Sequence, residues 1–70
     1  MKRLVCVYMD DEVVELIDRM IRVMDHEHIL KYLGYKDKKP RLSRGDVIHY
    51  CVKKIYENEV LPLYLSLIHI

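Results

Sequence analysis

Four histidines, two cysteines and eleven acidic residues are the groups of this chain with metal-binding or acid–base capacity. The densest stretch is Asp25-His26-Glu27-His28, with His49 and Cys51 further on. Ligands on one helix face stand three or four residues apart, whereas residues two apart point in different directions. His26 and His28 fail that requirement, and no Cys-x-x-Cys pair accompanies them, so no metal is expected. His49 and Cys51 read as a helix-surface residue and a core residue. Covalent or phosphoryl chemistry has no better footing. There is no glycine-rich phosphate loop and no nucleophile with its base, and the carboxylates fall mostly on an amphipathic helix where solvation explains them. The chain is expected to be neither an enzyme nor a cofactor carrier.

Two other groups carry chemistry of a binding kind. Ser43-Arg44-Gly45 opens a helical pattern, and the free backbone amides of a helix start bind a phosphate with the helix dipole behind them. The Ser43 hydroxyl can add a bond, Arg44 and nearby Arg41 add charge, and Gly45 removes steric bulk. The same residues also make an ordinary N-cap. Cys6 sits in the middle of a strand-like run; a disulfide to a symmetry mate is conceivable there, but strand geometry often suits the bond poorly and a plain small apolar residue is the simpler reading.

The elements that must hold these residues are legible from periodicity. Arg3 to Met9 (RLVCVYM) is β-branched and aromatic, too short for a helix, and ends at the acidic cluster Asp10, Asp11, Glu12. It reads as a strand with Val5, Val7 and Met9 on one face and Leu4, Cys6 and Tyr8 on the other. No second strand-like run lies within hairpin reach, so its expected partner is the same strand of another subunit. Asp10 can cap a first helix over residues 11–24, whose apolar stripe is Val13, Val14, Ile17, Met20, Ile21 and Met24. A bend or short helix is expected over 25–33, with Gly34 as its C-cap and a charged loop over 34–42. Ser43 with Asp46 resembles a capping box ahead of Val47, Ile48, Cys51, Val52 and Ile55, predicting a helix over 44–58. Pro62 blocks easy continuation, though it is tolerated in a new first turn.

Size and charge bound the rest. A 70-residue chain forms one domain at most and buries only about 60% of its unfolded surface, so oligomerisation is the expected source of added stability. Two cysteines make no disulfide framework, nothing resembles a secretory signal, and no run is long enough to span a membrane, which points to the cytoplasm. The net charge is +1, yet residues 10–27 carry −5 and residues 28–54 carry +6. Such segregation suits a protein that turns a basic face to a polyanion. Lys36, Lys38, Lys39 and Arg41 of the loop are placed to reach flanking phosphates, or to be merely solvated.

The order strand, helix, helix, with Arg-Leu-Val-Cys-Val-Tyr-Met, an acidic cap and then Leu-Ser-Arg-Gly-Asp-Val-Ile, resembles the MetJ/Arc ribbon-helix-helix repressors over residues 2 to about 58. The resemblance implies a mostly α fold with one short strand, intertwined as a homodimer through an intersubunit two-stranded antiparallel sheet. It implies a transcriptional regulator of double-stranded DNA, with the ribbon in the major groove. By position, Lys2, Leu4, Cys6 and Tyr8 would face the bases, while Arg3, Arg41, Ser43, Arg44 and Gly45 would hold the phosphate backbone. Family members usually carry Arg, Lys, Asn, Gln or Thr at the groove positions. Leu4 and Cys6 depart from that pattern, so readout is expected to be partly apolar, with Tyr8 able to donate through its hydroxyl. The stretch from Asp25 to Arg41 is longer than the family's usual turn. The alternative implied reading is an antitoxin-like dimer that neutralises a partner protein. Small size, helix content and the lack of Phe and Trp also resemble regulators from an archaeal virus or plasmid.

Residues 61–70 read as a tail. Its last six residues, Leu65 to Ile70, fit no element well, and the codon string CTG TCT CTT ATA CAC ATC that would encode them matches a transposon-end adapter used in sequencing libraries. They are expected to be non-native, with the native carboxy-terminus missing, and are assigned no function.

Overall fold

The computed structural model describes residues 2–35 and 41–68. The fold is mostly helical: α1 (Asp11–Val23), α2 (His26–Tyr32) and α3 (Arg44–Ile55), followed by a π-helical turn (Tyr56–Val60) and α4 (Leu61–Ile68). Lys36, Lys38 and Lys39 of the basic loop, together with His69 and Ile70, lie outside the described residues.

Residues 2–10 take no regular secondary structure in the single chain. A strand exists through its ladder, and no extended segment of the same chain lies alongside this one among the described residues. Asp10 occupies the N-cap position of α1 in extended backbone, but its side chain makes no cap bond. The first-turn acids Asp11 and Glu12 instead complement the helix dipole by charge. At the other end Met24 leaves the helix with its N–H on the Met20 carbonyl, and the His26 ring donates through Nε2 to the Ile21 carbonyl at 2.6 Å. That bond satisfies a carbonyl at the end of α1 and fixes the corner into α2. Asp25 then caps α2, accepting from the amides of Glu27 at 3.1 Å and His28 at 3.3 Å. Gly34 closes α2 at φ +84°, a conformation that L side chains rarely adopt.

α1 and α2 both pack on α3. The core is Ile17, Ile29, Leu42 and Val47, with Met20, Ile21, Met24, Leu30, Leu33, Ile48, Tyr50 and Cys51 against it. Among the described residues Ile29 and Val47 are fully buried, so α2 supplies one of the two. The apolar stripes are covered only in part. Ile17, Met20, Ile21 and Met24 of α1 face the core, but Val13 is exposed; on α3, Val47, Ile48 and Cys51 face it, while Val52 and Ile55 remain exposed.

The third helix does not stop near Asn58. The Leu61 amide bonds back five residues to the Tyr56 carbonyl, and this wider turn leads into α4 with Pro62 in its first turn. A first-turn position needs no backbone donor, so the proline ring is accommodated rather than terminating the chain's helical path. Leu65 to Ile68 of the tail, expected to fit no element, continue α4.

Candidate nucleic-acid interface

The start of α3 is the best-organised polar region of the molecule. Ser43 sits in extended backbone, its hydroxyl accepts from the Asp46 amide at 3.1 Å, and Asp46 Oδ2 accepts from the Ser43 amide at 2.9 Å. This reciprocal capping box is the one the Ser43/Asp46 spacing predicts. Asp46 is buried, and its Oδ1 also accepts from the Tyr35 hydroxyl at 2.8 Å. The amides of Arg44 and Gly45 precede the first intrahelical bond and have no acceptor among the described residues. They stand where an anion would dock. Among the described residues a Cβ at Gly45 would meet Ser43 Oγ alone, at an ordinary contact distance of 3.7 Å.

The electrostatics here are more balanced than the local sequence implies. Arg44 donates from Nε to Asp18 Oδ1 at 2.9 Å and from Nη2 to Asp18 Oδ2 at 3.0 Å, a side-on bidentate pair that ties α3 to α1. Arg44 holds the Asp18 carboxyl below its ordinary range, and Asp18 in turn raises the Arg44 guanidinium. Two carboxylates, Asp18 and Asp46, therefore stand among three described cations, Arg22, Arg41 and Arg44. A pair 26 residues apart has no local signature, which is why sequence reasoning missed it.

Of the expected site residues, Ser43, Arg44 and Gly45 are brought together at the α3 start, with Arg41 exposed just ahead of them. Lys2, Arg3, Leu4, Cys6 and Tyr8 are all exposed, and no hydrogen bond or ion pair among the described residues links them to that start. Every residue from Lys2 to Asp10 is exposed, with Leu4 at 92%, Val5 at 76%, Val7 at 65%, Tyr8 at 107% and Met9 at 37%. Cys6 is a free, exposed thiol.

A second cluster was not anticipated. The Tyr32 and Tyr50 rings meet edge to face at 5.2 Å, His28 stands 6.3 Å from Tyr50, and the ammoniums of Lys54 and Lys53 lie 4.6 Å and 5.4 Å from the Tyr32 centroid. The Tyr32 hydroxyl is shut away from solvent without a well-formed hydrogen bond. The Glu57 carboxylate beside it, helped by burial, pushes its pKa up to about 12. Lys53 and Lys54 are thus partly drawn onto α2.

Among the described residues no group of three or more His, Cys, Asp or Glu is placed to hold a metal ion, and no helix is long and apolar enough to cross a membrane. Comparison with family models, curated proteins and solved structures gave no match to this chain.

Proposed function

We propose that this chain is one half of a ribbon-helix-helix homodimer that binds duplex DNA and regulates transcription in the cytoplasm. The observation that carries the reading is the amino-terminal segment. It leaves the helical core as an exposed, largely apolar run without a backbone partner among the described residues. Pairing with the same segment of a second chain would satisfy its backbone groups and cover Val5, Val7 and Met9. The dyad ribbon so formed would present Lys2, Leu4, Cys6 and Tyr8 to the major groove. The capped α3 start, with its two unclaimed amides and Arg41, supports phosphate clamping, which positions a protein without reading sequence. Unburied apolar residues on α1 and α3 fit the same account, because a shared core would cover Val13, Val52 and Ile55.

The test is fluorescence anisotropy of a mixed-sequence duplex across a salt series, on protein shown to be dimeric by sedimentation. Affinity that falls steeply with salt, by about 0.9 log units per log unit of salt for each phosphate contact, supports the reading. Absence of binding at low salt overturns it and leaves the antitoxin-like dimer, with a protein as its partner, as the better account.

A further inference from the structure

We propose that Asp18 is a built-in restraint on the phosphate anchor: its carboxylate holds the Arg44 guanidinium against α1, and Arg44 reaches a DNA phosphate only by giving up that pair. The inference rests on the DNA-binding reading and deepens it.

The geometry is that of a held group rather than a passing contact. Both bonds are short, at 2.9 and 3.0 Å, and they take the Nε–Nη2 edge of the guanidinium, the edge by which arginine also grips a phosphate in two-bonded fashion. The environment nevertheless keeps the pair breakable. The Arg44 and Asp18 side chains are 61% and 39% exposed, and pairs of that exposure contribute little net stability. The fold does not depend on them, since α1 and α3 are already joined through Ile17 and Val47 in the core. Competition for Arg44 is therefore decided by which anion is nearer and more strongly charged.

The charge distribution gives the restraint its consequence. With Asp18 ionised, the α3 start carries Asp18 and Asp46 against Arg41, Arg44 and Arg22, the last near enough to act on Asp18, so two of the three positive charges met by an approaching phosphate are offset. Asp46 is buried within the capping box and stays in place. Asp18 belongs to α1, is partly open to solvent, and is the carboxylate whose hold on Arg44 can be displaced. A regulator built this way binds DNA less tightly than its anchor residues allow, which favours dissociation from non-specific sites where the phosphates are not ideally placed.

Duplex binding by wild type, Asp18→Asn, Arg44→Ala and the double variant, measured by anisotropy at low salt after thermal melts show each to be folded, tests the restraint. Asp18→Asn is expected to bind about 2–5-fold tighter, the fold-change that corresponds to an exposed ion pair. Arg44→Ala is expected to bind more weakly, and the double variant to match Arg44→Ala. Asp18→Glu, which keeps the carboxylate, should stay near wild type. An equal gain in the Arg44→Ala background would show a general charge effect and overturn the restraint, as would Asp18→Asn binding no better than wild type. Failure of every variant to bind any duplex would overturn the DNA reading itself, and the restraint with it.

Discussion

The Tyr35 hydroxyl donates to Asp46 Oδ1 at 2.8 Å, joining the residue that follows the Gly34 turn to the third position of α3. The other oxygen of the same carboxylate accepts from the Ser43 amide at 2.9 Å, so a single buried side chain holds both ends of the basic loop. The start of α3 is fixed from within the chain, and the Arg44 and Gly45 amides are aimed outward as a consequence.

Asp46→Ala should be among the most damaging polar substitutions. It removes half of the capping box, leaves the Ser43 amide without its acceptor, and strips the Tyr35 hydroxyl of a partner in a poorly solvated place. A loss of roughly 2–3 kcal/mol follows from one cap and one buried hydrogen bond. Tyr35→Phe should cost about 1 kcal/mol. Chemical denaturation of both single variants and the double variant checks the relationship. The double variant should be no more than slightly worse than Asp46→Ala alone, because the two share one interaction.

Gly45→Ala separates the anchor from the fold. Among the described residues the added methyl group would meet Ser43 Oγ alone, at an ordinary contact distance of 3.7 Å, and alanine is the better helix former. Stability should hold or rise by about 0.5–1 kcal/mol. DNA affinity should fall severalfold if a phosphate oxygen approaches the Gly45 amide, since the methyl group intrudes on that approach. Paired melting and anisotropy measurements read the two effects independently.

The helices and some of their caps were legible because their signals are local. Ser43 with Asp46 and Gly34 at the close of α2 act within a turn of their own position, whereas Asp10 holds the N-cap position of α1 without a side-chain bond and the Asp25 cap was not anticipated. The bend or short helix expected over 25–33 corresponds to the break between α1 and α2. What the sequence did not reveal depends on distance along the chain. The Asp18–Arg44 and Tyr35–Asp46 pairs and the Tyr32–Tyr50 contact arise only once α1 and α2 lie on α3. Val52 and Ile55 of the α3 stripe have the right spacing, but within the single chain α1 and α2 leave them uncovered. The π-helical turn after Ile55 has no signature in the sequence, whereas Pro62 lies in the first turn of a new helix, the position at which a proline is tolerated.

Tyr32 makes a pH-dependent contribution to stability in the alkaline range. Its folded pKa is raised from 10.0 to about 12, chiefly by the neighbouring Glu57 carboxylate, so the folded state favours the protonated phenol. The corresponding stability is fully present below the unfolded value near 10 and is lost as pH rises through about 12. Tyrosinate absorbance should show one of the six tyrosines titrating late, and that late step should disappear in Tyr32→Phe.

Val7 and Tyr8 are adjacent, yet substitutions at the two should fail in different ways. Val7 lies on the face that the proposed ribbon would turn to the helices, while Tyr8 stands fully clear of the chain. If Val7 is covered in a dimer, Val7→Asp places an unpaired carboxylate in that contact twice over. A penalty of about 3 kcal/mol or more would weaken dimerisation at least about a hundredfold, visible as a concentration-dependent shift in sedimentation and melting. Tyr8→Ala should leave the dimer and its melting unchanged and weaken duplex binding, with a smaller change in salt slope than Arg41→Ala produces, because a base contact releases no counterion. A Val7→Asp protein that dimerises like wild type would place the dimer contact elsewhere, and with it the face that meets DNA.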